Sequence, residues 1–84
     1  MIWSFTVYIK GLAEFCDDQA NELYEAGCSD GTLASGDGQA WIGFDRESDS
    51  LFSAIRSAIA EIQQVGLEID RVVIDHEEVG WPTV

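Results

Sequence analysis

Residues 49 to 65, DSLFSAIRSAIAEIQQV, place Leu51, Ile55, Ala58, Ile59, Ile62 and Val65 three or four positions apart. This spacing predicts an α-helix with a single apolar stripe, about 25 Å long at roughly 1.5 Å per residue. Ser50 is suited to cap its start and Gly66 to end it. Such a stripe is stable only against another apolar surface, and the strand-like runs on either side are the candidates. A chain of 84 residues makes one domain able to bury roughly 60% of its unfolded surface, so one modest core has to carry the fold.

Residues 2 to 9, IWSFTVYI, alternate: Trp3, Phe5, Val7 and Ile9 fall on one side, Ser4, Thr6 and Tyr8 on the other. That is the pattern of a half-buried strand, and Lys10-Gly11 breaks it. The segment DDQANELYEAG has Ala20, Leu23 and Tyr24 at helical spacing, acids in its first turn and Gly27 at its end, which predicts a short amphipathic helix. Thr32 to Ser35 and Gln39 to Phe44 flank Gly36-Asp37-Gly38, and the Asp-Gly pair predicts a tight hairpin because such a turn needs positive φ. Ala40, Ile42 and Phe44 form the buried side of that second strand, and Trp41 points the other way. The run LEIDRVVID supplies a last strand whose alternation changes parity between Ile69 and Val72, predicting a bulge or a late strand start.

The order strand, helix, strand, strand, helix, strand predicts an α+β, ferredoxin-like βαββαβ arrangement, with a four-stranded antiparallel sheet and both helices on one face. The last residues, 77 to 84, read as a tail. The second sheet face is then open, and by parity it displays Thr6, Tyr8, Trp41 and Val73. Phe52 adds an aromatic at the edge of the central helix's stripe, where a core position is not required. Aromatic residues so placed either shield the sheet or form a dimer or partner surface.

Sixteen Asp and Glu against four Lys and Arg give a formal net charge of −12. This repels nucleic acid and anionic membrane, so neither is expected as a direct ligand. No window of eighteen apolar residues occurs, and the N-terminus lacks the basic lead and long apolar core of a signal peptide, so the expected location is cytoplasmic. Cys16 and Cys28 bracket the first helix, which holds them some 15 Å apart, beyond the roughly 7 Å reach of a disulfide; both are expected to be reduced.

Motifs that carry chemistry are sparse. His76 is the only histidine, and its neighbours Asp75, Glu77 and Glu78 make poor joint ligands, because consecutive residues at a strand end point in different directions. Asp45, Glu47 and Asp49 have the spacing that opens a calcium loop, but Ser50 stands where that loop needs Gly and Arg56 where it needs a bidentate Glu. Gly36 and Gly38 are turn glycines, with no following helix or Lys-Ser/Thr to make a phosphate loop. Cys16 opens a helix, yet Asp17 and Asp18 beside it oppose a thiolate. Tyr8 and Trp41 resemble the stacking pair of an RNA-recognition sheet, without the cations that neutralise phosphate. No acid, base and nucleophile assemble, so no enzyme, cofactor or metal is expected.

Taken together, GLAEFCDDQANELYEAGCSDGTLASGDGQAWIGFDRESDSLFSAIRSAIAEIQQVGLEIDRVVID resembles the N-terminal module of small bacterial, mainly actinobacterial, proteins in which a helix-turn-helix follows. The resemblance covers nearly all of residues 5 to 75, and LYEAGCSDGTLASGDG with FDRESDSLFSAIRSAI is its most specific part. Two departures stand out. The family often has an acidic residue where Phe52 stands, and Trp81-Pro82-Thr83-Val84 stands where the DNA-binding helices would begin.

Two functional expectations follow. In the first, the chain is an acidic inhibitor whose carboxylates imitate a phosphate backbone and block a basic nucleic-acid-binding protein or complex. Small phage anti-CRISPR and anti-restriction proteins act so, and the likeness to them is one of size and charge. Asp17, Asp18, Glu22, Glu25, Asp45, Glu47 and Asp49 would carry the mimicry. In the second, it is the regulatory or dimerising half of a bacterial helix-turn-helix regulator or antitoxin, using Tyr8, Trp41 and Phe52 on or near the open face, with a homodimer as one outcome. The charge, larger than solubility needs, favours the first; a reading frame running past Val84 into a helix-turn-helix would favour the second.

Overall fold

The computed structural model describes residues 1–74. Strand β1 spans Ile2–Ile9, helix α1 Asp17–Ala26, strand β2 Gly31–Gly36, strand β3 Gln39–Glu47, helix α2 Leu51–Gln64 and strand β4 Ile69–Ile74; a single 3-10 turn, Cys28–Asp30, leads into β2. The four strands form one sheet in the order β2-β3-β1-β4, with every neighbouring pair antiparallel. This is the ferredoxin-like βαββαβ fold that the order of periodic segments predicts.

Each boundary has a local cause. Asp37 (φ 53°) and Gly38 (φ 75°) both take positive φ, the requirement of the tightest two-residue hairpin, and so fold β2 onto β3. Ser53 N–H donates to Ser50 Oγ at 3.1 Å, closing the first turn of α2. At its other end Gly66, at φ 93°, lets its own N–H donate to Gln63 O at 2.9 Å and Leu67 N–H to Ile62 O at 3.4 Å. These bonds satisfy carbonyls the helix leaves open and turn the chain toward β4. The parity change in the last strand is a bulge: Tyr8 pairs with Arg71 and Ile9 with Ile69, leaving Asp70 as the extra residue.

Phe5, Val7 and Ile9 of β1 and Ala40, Ile42 and Phe44 of β3 are buried under Leu23 of α1 and Leu51, Ala54, Ala58 and Ile62 of α2. The Phe5 and Phe44 rings stack at 5.2 Å. Full burial of each large apolar side chain contributes about 1.5–3 kcal/mol, so this layer between helices and sheet dominates the fold's stability. The expected stripe on α2 is present but rotated slightly: Ala54 belongs to its centre, while Ile55, Ile59 and Val65 are half-buried at its margins. Alanines at the centre suit the position where a helix comes nearest the sheet. On α1 the expectation for Tyr24 is corrected: it is 68% exposed, and Leu23 alone of that helix reaches the core fully. Trp3 is half-buried at the start of β1, where its indole N–H donates to Ser48 O at 3.1 Å.

Candidate functional site

Both helices lie on the side of the sheet that Phe5, Val7, Ile42 and Phe44 face, so the alternate residues of the strands make an uncovered face. Its layout follows from the strand registers. One row across the sheet is Ala34, Trp41, Tyr8 and Arg71; the next is Thr32, Gly43, Thr6 and Val73; beyond it lie Asp45 with Ser4, and then Glu47 with Ile2.

The first row is ordered by its own contacts. The Tyr8 and Trp41 rings sit 5.7 Å apart, tilted by 42°, and the Arg71 guanidinium lies 4.0 Å from the Tyr8 ring centroid. Arg71 Nη1 also donates to Asp70 Oδ2 at 2.7 Å, so the bulge that displaces Asp70 supplies the acid that steadies this cation. At the other end of the row, a Cβ on Gly36 would come within 3.3 Å of the Trp41 indole; the ring lies over that glycine. Beside the row the surface drops, because a Cβ on Gly43 would meet nothing within 4 Å. The far wall is Asp45, whose Oδ1 accepts from Ser4 Oγ at 2.6 Å.

The candidate residues therefore fall into two layers. Tyr8, Trp41, Asp45 and Glu47 share the sheet face, which joins residues assigned in sequence to separate ideas. Asp17, Asp18, Glu22 and Glu25 are exposed on α1, on the helix side of the sheet, and Asp49 lies in the loop before α2. Phe52, 63% exposed, stands on α2 with Arg56 5.4 Å above its ring; the sheet separates it from Tyr8 and Trp41, so the three do not form one surface. His76, with Asp75, Glu77 and Glu78, lies outside the described residues.

Beneath α2 lies a polar cluster drawn from three separate segments. Arg46 has the inward parity of β3 and is only 7% exposed. Its Nε and Nη2 donate to Asp30 Oδ2 and Oδ1, Nη2 also donates to Glu61 Oε1 and to Gly27 O, and Nη1 donates to Ser57 Oγ. Its guanidinium carbon lies over the Phe44 ring, 5.1 Å from the centroid. The hydrogen bond from Arg46 holds the Asp30 carboxyl below its ordinary value, and the two carboxylates raise the arginine's own pKa against the cost of burial. Cys28 Sγ lies 3.7 Å from Glu61 Oε1; burial, and then the Glu61 charge, push that thiol up to about 11. Both cysteines are free, Cys16 exposed and Cys28 buried. One sequence signal marks the cluster: an arginine at the inward parity of a strand requires acids from the layer above it.

Among the described residues no group of three or more His, Cys, Asp or Glu is arranged to hold a metal ion, and no helix is long and apolar enough to cross a membrane. Comparison with protein-family models, with curated proteins and with solved structures gives no match.

Proposed function

We propose that this chain is a non-enzymatic protein-binding domain whose uncovered sheet face takes a partner protein, and that it serves as the interaction half of a bacterial DNA-binding regulator, the role its sequence resemblance implies. The row of Trp41, Tyr8 and Arg71 carries the reading. Tyr, Trp and Arg are the residues enriched where proteins meet, since each offers a broad apolar surface with a polar tip and little rotameric freedom once stacked. Here Tyr8 packs against both Trp41 and Arg71 in the isolated chain, and an arrangement already made lowers the entropy cost of docking. Among the described residues, the groups whose titration departs from the ordinary, Cys28, Asp30 and Arg46, are engaged with one another and Glu61 beneath α2, the arrangement of a structural cluster rather than of an acid or base aimed at substrate.

The test is site-specific photo-crosslinking in bacterial cells producing the full chain, with the crosslinker placed at position 41 or at position 18. A discrete adduct from position 41 that disappears when Gly43 is replaced by Arg supports docking on the sheet. Adducts from position 18 alone would overturn it.

That second outcome would favour the charge-mimic reading, which one observation supports. Asp18, Glu22 and Glu25 align along α1 over about 10 Å, with Asp17 beside them and no cation on the helix. Negative charge so concentrated is what imitation of a phosphate backbone requires. On that reading the partner is a basic nucleic-acid-binding protein, and replacing the three aligned acids by Lys abolishes a strongly salt-dependent complex while the fold survives.

A further inference from the structure

We infer that the occupant of the sheet face is a second copy of this chain, in a two-fold symmetric dimer; the inference rests on the docking role above and names its partner. A chain at −12 makes an unexpected partner for itself, and the distribution of charge answers the objection. Around the sheet face Asp45, Glu47 and Asp70 stand against Arg71, which Asp70 already pairs. Helix α1 carries four carboxylates and no cation, so the sheet side holds the smaller excess of negative charge. Stacking two sheet faces puts both α1 helices on the outside. With layer spacings near 10 Å they lie about 30 Å apart, against a screening length of about 8 Å at physiological salt, so their repulsion is largely removed.

The face is also complementary to itself. Asp45 pairs with Ser4 and Arg71 with Tyr8, so the acid and the cation lie diagonally on either side of Thr6, which is midway between Ser4 and Tyr8 on β1. A two-fold axis parallel to the face, lying midway between the two copies over Thr6 and perpendicular to the Asp45–Arg71 diagonal, sets Arg71 of each copy opposite Asp45 of the other. A two-fold interface demands this reciprocity.

The same rotation can be followed over the rest of the face, using strand spacings of about 4.8 Å and residue rises of about 3.3 Å. It brings Tyr8 of one copy over the recess at Gly43 of the other, and Trp41 over the small residues Thr32 and Ala34. The strands of the two sheets then cross steeply, in the orthogonal class of sheet packing. Large rings meet small residues on both sides of the axis, and opposite charges close the two diagonal ends. Four strands of about six residues cover roughly 400 Å² in projection. Counted on both copies this is about 800 Å², below the roughly 1,200 Å² of stable specific interfaces and in the class of weak, transient contacts, so the expected dimer dissociates in the high micromolar range.

Sedimentation of the purified chain across the micromolar range, at physiological salt, measures the association directly. Asp45→Arg and Arg71→Asp should each weaken the dimer about tenfold, and the two together should restore it, because the exchanged charges again face each other. Gly43→Arg, at a position where an added Cβ meets nothing within 4 Å, should give a folded monomer, and thermal melting of every variant confirms the fold. A chain that stays monomeric throughout overturns the inference. So does a dimer indifferent to Gly43→Arg and to the charge exchange, which must use another surface. If the chain is monomeric while position 41 still crosslinks to a protein of different mass, the docking role stands and the second copy falls; if position 41 gives no adduct either, both fall.

Discussion

Arg46 and Asp30 meet as a two-pronged ion pair, with Nε donating to Oδ2 and Nη2 to Oδ1, each at 2.8 Å. Asp30 comes from the turn before β2 and Arg46 from the end of β3. Because Arg46 also bonds Gly27 O at the end of α1 and Glu61 of α2, one guanidinium ties both helices to the sheet.

Arg46→Ala should therefore be among the most damaging single changes. It leaves two carboxylates and a backbone carbonyl without their donor, which for a fully buried pair costs about 3–5 kcal/mol. Asp30 and Glu61 keep some solvent contact, so the expected loss is about 2–4 kcal/mol, read from urea denaturation. A variant as stable as the parent would show that the cluster does not hold the helices.

The same cluster predicts opposite behaviour at the two ends of the pH scale. Asp30 has a depressed pKa in the fold, so its contribution is complete above the unfolded carboxyl value near ~3.9 and is lost as pH falls through the depressed folded value. Cys28 has a raised one, moved from 9.0 to about 11. Its contribution is complete below 9.0 and is lost as pH rises through about 11, an effect on the order of 2 kcal/mol. Melting temperatures measured against pH should show Asp30→Asn flattening the acid limb and Cys28→Ala the alkaline limb.

Gly66→Val should lower stability by about 1–2 kcal/mol or more, although a Cβ there meets no other atom. The cost is conformational: at φ 93° a β-branched residue is strained whatever space surrounds it. Gly66→Asn should cost less, since Asn tolerates the left-handed region. Equal melting of the Val variant and the parent would mean that α2 can end in another way.

Added salt should raise the melting temperature of this chain. At −12 the exposed carboxylates repel one another, and screening relieves the folded state more than the expanded one. Calorimetry at low and high sodium chloride reads the effect, and a fall in melting temperature would show the surface ion pairs outweighing the repulsion.

The periodic residues made the architecture legible. Phe5, Val7 and Ile9, Ala40, Ile42 and Phe44, and the stripe on α2 recur at the repeats of strand and helix, and the Asp37-Gly38 turn and Gly66 mark corners that need positive φ. The proposed docking face was legible in part: strand parity exposes Tyr8 and Trp41, but parity does not say that Arg71 stacks on Tyr8, because the bulge at Asp70 sets that register. Spacing put Tyr24 on the apolar stripe of α1, where it is in fact exposed, and Phe52 at the edge of that of α2, for a related reason. Each lies at the rim of an apolar stripe, and whether a rim residue is covered depends on the crossing of two helices, which spacing along one of them does not encode. The Arg46 cluster draws on three separate segments, so only the fold assembles it.

The strand order β2-β3-β1-β4 also constrains how the chain reaches its folded state. The first half of the sequence holds β1 and β2, which never touch, because β3 separates them; the second half holds β3 and β4, which never touch, because β1 separates them. Each half alone is a sheet with its middle missing. A nascent chain leaving the ribosome can form α1 but no strand pair until β3 emerges; the β2–β3 hairpin then closes locally across Asp37-Gly38, whereas adding β1 to β3 needs contacts about forty residues apart, which slows completion of the sheet. Cut at the Asp37-Gly38 turn, the two pieces would have to interleave their strands to rebuild the sheet, like the fingers of two hands.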